Sequence, residues 1–294
     1  MVFTSHIFMK HFKIFIDLTR LNKPIGFMLL FWPCSWGLAY AYNFNQNLNT
    51  FLYYLLLFFL GSILMRSAGC IFNDIIDKDL DRGVERTKER PIAAGKISVK
   101  KSLFYVLGLC ALAFIILIQF NLFTIILGLG SMILAFSYPF MKRITYWPQL
   151  FLGLTFNWGI IMAWAAINNN ISYEIIGLYI SAIFWTLGYD TIYGTQDMTD
   201  DEIIGVKSTS IKFKESIKLF VGSSYLLTLV ILSCLFSREF GVNILTLLFI
   251  LFAMSLLFQL IKFDKTKPEK CLMLFKMNNI SGFILFIGIL SKNL

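Results

Sequence analysis

At 294 residues the chain is 57% hydrophobic and only 15% charged, with a mean hydropathy of +0.72 and a net charge of +9. A soluble protein carries about 25% charged residues, so this composition excludes an ordinary soluble domain and indicates a polytopic membrane protein. The positive charge lies between apolar runs, which assigns it to a membrane face and excludes nucleic acid as its partner.

In chain order, residues 1–23 mix Lys10, Lys13, Arg20 and Lys23 with Phe and Ile. They carry no small-residue cleavage site, so they read as an interfacial helix and not as a signal peptide. The only two histidines, His6 and His11, lie in this segment, which disfavours a His-ligated metal. Nine apolar segments follow, at roughly 25–42, 50–72, 103–119, 121–140, 149–167, 171–189, 218–236, 241–261 and 272–291. Each is about long enough to cross hydrocarbon. Pro33 is expected to bend the first. Arg66 falls in the second, where a lone cation calls for a polar cavity. Lys276, near one end of the last, can snorkel. The six tryptophans sit mostly near span ends, where interface anchoring is expected. Five cysteines lie in or beside apolar runs without a paired spacing and read as packing residues.

The connections at 43–49, 120–121, 168–170 and 237–240 are short, whereas those at 73–102 and 190–217 are long. No connection is long enough to fold alone, so residues 1–294 read as a single all-α transmembrane domain. Lysine and arginine divide 22 to 2 between the two sets of connections. That bias puts the N-terminus and both long loops in the cytoplasm and the C-terminus on the opposite side. Both long loops follow an even-numbered span, four spans apart, which hints at two related halves.

Of the 17 acidic residues, 12 fall in segments 73–102 and 190–218. Acidic residues contribute little to orientation, so topology explains the basic residues of these loops but not the aspartates. At roughly 100° per residue, Asn73, Asp77 and Asp81 share one helix face, and Arg66 points the same way. Asp190, Asp197 and Asp201 likewise form a stripe. Oxygen-only ligands suit Mg²⁺, which keeps several waters and is completed by substrate phosphates. Arg82, Arg86, Lys88, Arg90, Lys207 and Lys212 lie nearby as phosphate-binding cations. Two carboxylate rows beside such cations point to a prenyl diphosphate as substrate. A cation transporter would place its carboxylates near midplane on broken helices, and a non-catalytic scaffold leaves the aspartate stripes without a purpose.

The motifs then become specific. Asn73–Asp81 reads N-D-x-x-D-x-x-x-D, Arg86–Pro91 reads R-x-x-x-R-P, and Tyr138 to Lys142 reads Y-x-x-x-K. A second acidic motif runs from Tyr189-Asp190 through Asp197 and Asp201 to Gly205–Thr209. In this order they resemble the UbiA superfamily of intramembrane prenyltransferases. Asn22–Gly26 with Trp32-Pro33, Met65–Cys70 and Met277–Asn279 resemble its branch acting on 4-hydroxybenzoate. The likeness runs from about residue 20 to the end. It implies nine transmembrane helices around a central cavity with the active site on the cytoplasmic side. It also implies that Asn73, Asp77, Asp81, Asp197 and Asp201 hold Mg²⁺ and diphosphate, and that Arg86, Arg90, Lys142 and Lys207 contact phosphate.

The reaction expected is transfer of a long polyprenyl group from its diphosphate to 4-hydroxybenzoate, ortho to the hydroxyl, in ubiquinone biosynthesis. Asp77, Asp197 and Asp190 are the candidate catalytic residues, with Arg66 and Asp190 the candidates for the aromatic acceptor. The same chemistry on a naphthoate, homogentisate or haem is the alternative. The lipid bilayer is the other expected partner; no obligate protein partner is implied. An inner membrane, bacterial or mitochondrial, is the expected location.

Overall fold

The structure, a computed structural model, describes residues 2–43 and 47–292, with side chains from Met9 onward except Lys10. Residues 44–46 of the first short connection, and the side chain of His6, lie outside the described residues. Every regular element among the described residues is helical. In chain order these are α1 (Val2–Thr19), α2 (Ile25–Ala41), α3 (Leu48–Ile76), α4 (Lys78–Asp81), α5 (Val99–Leu117), α6 (Leu122–Ile144), α7 (Pro148–Asn157) and α8 (Gly159–Asn168). They continue with α9 (Tyr173–Gly194), a 3₁₀ turn (Thr195–Asp197), α10 (Met198–Ile203), α11 (Thr209–Lys212), α12 (Ile217–Leu235), α13 (Ile244–Lys262) and α14 (Pro268–Ser291).

Eight helical stretches among the described residues are long and apolar enough to cross a membrane, with α7–α8 and α9–α10 each counted as one. The ninth expected span is α2, slightly shorter at 17 residues. Helix starts are encoded locally: the side chains of Asn47, Ser98, Asn121, Ser172 and Asn243 each accept a backbone N–H two or three residues in. Pro148 and Pro268 occupy the first helical position of α7 and α14, where a missing N–H is harmless.

The spans close into a ring. α2 packs on α3, α3 on α5 and α6, α6 on α7 and α8, these on α9, then α9 on α12, α12 on α13, α13 on α14, and α14 back on α2. α9 is the most buried span, whereas α5 and α6 expose most of their surface. Two close approaches fix α2 against α8. A Cβ on Gly37 would lie 2.3 Å from the Ile160 carbonyl oxygen, and one on Gly159 would lie 2.2 Å from Cys34 Sγ.

The expected single span at 149–167 is broken at Trp158. Just before the break, the fully buried Asn157 amide donates to the Gly153 and Ala182 carbonyls and to Thr186 Oγ1 (2.8 Å) on α9. Polar side chains also tie the far half of the ring together. Trp185 Nε1 donates to Asn278 Oδ1 (2.9 Å), Asn278 Nδ2 to Gln259 Oε1 (3.0 Å), and Tyr225 Oη to the same Gln259 oxygen (2.9 Å). The membrane interior offers these groups no water, so they satisfy one another. Three tryptophans expected at the interface are therefore structural core. Trp36 and Trp185 are almost fully buried, and Trp32 and Trp36 donate to Asn279 Oδ1 and the Gly282 carbonyl of α14. The cysteines are all free; Cys34, Cys70 and Cys271 are buried, in keeping with a packing role, whereas Cys110 is half-buried and Cys234 exposed.

Candidate active site

α3 runs directly into the first acidic motif, and Asp77 caps it. Asn73 Nδ2 donates to Asp77 Oδ2 (2.8 Å), one turn on. Lys142 Nζ lies 2.5 Å from the same oxygen, and Arg143 Nη2 donates to Asp77 Oδ1 (3.0 Å). Both cations belong to the last turn of α6, where the exposed carbonyls favour positive charge. Asp77 is 0% exposed, and these three donors offset the cost of burying its carboxylate.

Asp81 does not extend this row. Both its oxygens accept from Arg90 Nη1 (2.9 Å each), and that nitrogen also reaches Asp74 Oδ1 (3.2 Å). Asp74, buried, accepts in addition from Arg20 Nη2 (2.5 Å). Seven residues is close to two helical turns, so Asp74 and Asp81 share a stripe of their own. Burial pushes the Asp81 carboxyl above the ordinary carboxylate range, and Arg90 opposes that shift.

In the second motif α9 carries Asp190 and ends at Gly194, after which the 3₁₀ turn swings Asp197 toward the first loop. There the Asp197 carboxylate accepts from Arg86 through Nε (2.7 Å) and Nη2. Arg86 Nη1 donates to Tyr193 Oη (2.7 Å), and the guanidinium lies over the Tyr193 ring. Asp200 Oδ2 accepts the Glu85 backbone N–H (3.2 Å). The Asp201 carboxylate makes no hydrogen bond or ion pair among the described residues, yet sits within electrostatic reach of Asp197, Lys142 and Arg86. Lys207 donates its backbone N–H to the Lys142 carbonyl (2.9 Å) and its ammonium to the Ile144 carbonyl (3.2 Å), beside the Tyr146 ring. The two long loops thus meet face to face, and Arg86 and Lys142 are the hinge pins of that meeting.

Next to this junction lies a cavity of about 1540 Å³, larger than the roughly 300–1,000 Å³ of ordinary ligand sites. Asn73, Arg86 and Tyr193 line its polar part, and Phe114, Leu117 and Met162 are among its apolar walls. Arg66, about two helical turns before Asn73, lies over the Phe156 ring at 5.3 Å. Its Nε is buried without a hydrogen-bond partner, and a Cβ on Gly26 would come within 2.8 Å of it. Asp190 and Tyr138 share its electrostatic environment, and all three line the cavity. Lys276, which could simply have snorkelled, also lines it.

The UbiA prenyltransferase family pattern matches residues 30–280. The chain belongs to the UbiA prenyltransferase family. A relative from Bos taurus, 4-hydroxybenzoate polyprenyltransferase, mitochondrial, is 42% identical over 286 residues, spanning 95% of this chain and 75% of the relative. Among solved structures, the apo UbiA homolog from Aeropyrum pernix K1 superposes with a TM-score of 0.76 at 20% identity, covering 91% of this chain and 98% of that one. A UbiA homolog from Archaeoglobus fulgidus bound to GPP and Mg²⁺ gives a TM-score of 0.72 at 17% identity, covering 95% and 99%. These solved structures show the UbiA fold for this ring of helices, and the chain is an integral membrane prenyltransferase.

The donor chemistry around the two loops fits a hard divalent cation. Asn73 Oδ1, Asp77, Asp197 and Asp201 are all oxygen donors, and Asp201 has no partner of its own. No group of three His, Cys, Asp or Glu side chains converges into a ready-made cage among the described residues. Such an ion would need phosphate oxygens and water to complete its shell, which is how Mg²⁺ normally binds. Four residues at the site were not assigned roles from sequence: Arg20, Asp74, Arg143 and Tyr193. Asp74 and Arg143 are immediate neighbours of assigned residues, and Tyr193 lies one turn before Asp197. Arg20 had no local signal, since its partner is 54 residues away.

Proposed function

We propose that this UbiA-family protein transfers a polyprenyl group from polyprenyl diphosphate to 4-hydroxybenzoate, ortho to the hydroxyl, in ubiquinone biosynthesis. The observation that carries the reading is a single cavity whose polar end is lined by Asn73 and Arg86, the partners of Asp77 and Asp197, and whose apolar walls also enclose Asp190 and a half-buried arginine, Arg66, with an unpartnered Nε. The 42% identity to a relative of that name supports the choice of acceptor.

In this reading Mg²⁺ supplies Lewis-acid neutralisation of the diphosphate. Asn73, Asp77, Asp197 and Asp201 would hold it, with Asp81 beside them. Arg86, Lys142 and Lys207 bind phosphate oxygens, and Arg90 supports that cluster. The allylic C1–O bond breaks, diphosphate leaves, and positive charge spreads over the allyl group. The apolar and aromatic walls exclude water from it. Arg66 binds the acceptor carboxylate and so aims the ring carbon next to the phenol at C1. The new C–C bond forms, and the displaced ring proton passes to Asp190 and then to solvent. The polar mouth faces the cytoplasm or the mitochondrial matrix, with the N-terminus on that side and the C-terminus across an inner membrane. The α1 segment lies in the interface as part of the same domain, 1–294.

The test supplies membranes containing the protein with a long-chain polyprenyl diphosphate, Mg²⁺ and one labelled acceptor at a time. Label from 4-hydroxybenzoate should enter lipid, with naphthoate and homogentisate at least tenfold poorer. Transfer to one of the other acceptors in its place would overturn the choice of acceptor. Transport of Mg²⁺ without any prenyl product would overturn the enzymatic reading.

A further inference from the structure

The end of α1 is held against the first acidic motif by a contact that membrane anchoring does not require. Leu18 is fully buried with Ala68 and Ile71 of α3, Ile92, and Val106 and Leu109 of α5. Phe15 packs edge-on to Tyr105 at 5.2 Å. α1 then stops at Arg20, whose backbone is left-handed (φ 55°), a conformation that costs a non-glycine residue free energy. Lys23 N–H closes the turn on the Arg20 carbonyl (2.9 Å). From this turn the Arg20 side chain crosses to Asp74, with Nη2 2.5 Å from Oδ1 and Nη1 3.6 Å from Cys70 Sγ. Asp74 shares that oxygen with Arg90, and Arg90 is fastened by the same nitrogen to Asp81. The second Asp74 oxygen is buried and has no partner. Burying a carboxylate so sheltered is costly without a partner, so removing either guanidinium would leave it poorly compensated.

Arg90 belongs to the loop that presents Arg86 to Asp197. The chain of contacts therefore runs from α1, through Arg20, Asp74 and Arg90, to the segment that closes the mouth. We propose that Arg20 and Asp74 are positioning residues: they clamp Arg90, and with it the 82–98 loop, so that Arg86 is held ready for the diphosphate. The N-terminal helix is thereby a working part of the active site. Arg90 acts in this clamp through Nη1 while also lining the cavity. The kinetic part of this inference rests on the prenyl-transfer reading; the loop-ordering part does not.

Hydrogen–deuterium exchange of full-length protein in lipid nanodiscs, without substrate or metal, tests the ordering. Arg20→Gln and Asp74→Asn should each raise exchange in 82–98 at least fivefold while leaving α9 and α12 as in the wild type. Binding of a labelled polyprenyl diphosphate with Mg²⁺ tests the consequence with no acceptor present. Arg20→Gln should weaken it about tenfold, Arg20→Lys should restore at least half of the loss, and adding Asp74→Asn to Arg20→Gln should cost less than a further twofold. In the transfer assay the KM for 4-hydroxybenzoate should stay within twofold. Unchanged exchange in 82–98, or Arg20 and Asp74 effects that multiply, would overturn the clamp. Should Arg20→Gln not fold, Arg20→Lys alone decides: wild-type exchange across α9 with a looser 82–98 loop supports the clamp, and wild-type exchange in both contradicts it. Loss of transfer to 4-hydroxybenzoate with intact diphosphate binding would count against the acceptor and leave the clamp standing.

Discussion

The two acidic segments look alike in sequence and are built differently. In the first, helical geometry continues almost unbroken from α3 into α4, and the aspartates sort into two stripes, Asn73 with Asp77 and Asp74 with Asp81. In the second, the helix breaks at Gly194, and the 3₁₀ turn separates Asp190 from Asp197. The first segment ends with Asp77 enclosed by three donors; the second ends with Asp197 gripped by Arg86 and Asp201 unpaired. A side whose carboxylate is fully paired thus faces a side with a free carboxylate, an arrangement suited to gripping an ion that arrives with its substrate.

The largest effects should come from removing the core of either side. Asp77→Asn and Asp197→Asn should each lower kcat at least about 100-fold, with membrane insertion and helicity by circular dichroism unchanged. If the segments differ as described, Asp77→Asn also lowers the thermal midpoint, because Lys142 and Arg143 lose a buried anion, while Asp197→Asn does so less. Next in size is Arg66→Gln, expected to raise the KM for 4-hydroxybenzoate about 10–100-fold through loss of a charged hydrogen bond. The KM for polyprenyl diphosphate should stay within twofold in steady-state transfer. Away from both segments, Gly159→Ala forces a methyl group into Cys34 and should cost about 1–3 kcal/mol of stability. That loss is read as a lower midpoint in detergent thermal melts, with kcat preserved in the surviving fraction. The smallest effect is expected from Lys207→Ala, since its ammonium already rests on a carbonyl and a ring: about three- to tenfold in kcat/KM.

Much of this arrangement was legible in the sequence, and for identifiable reasons. Apolar run length located the spans because each must cover hydrocarbon, and the caps at Ser98, Asn121 and Asn243 are local signals. The Asn73–Asp77 pairing followed from helical spacing. What sequence could not show were contacts set by packing between distant helices. The Arg20–Asp74 pair, the capture of Asp81 by Arg90, and the burial of Trp36 and Trp185 are of this kind. The bond from Asn157 to Thr186 on α9, beside the break at Trp158, is another. The single stripe expected through Asp190, Asp197 and Asp201 assumed a continuous helix, and the turn after Gly194 ends it.

The central claim is that both acidic segments act on one diphosphate. Equilibrium binding of a labelled polyprenyl diphosphate to purified protein, with Mg²⁺ or with chelator, tests it most directly in the wild type, Asp77→Asn and Asp197→Asn. The account predicts Mg²⁺-dependent binding in the wild type and its loss in both variants. Full Mg²⁺-dependent binding in either variant would mean that one segment suffices, and would contradict it.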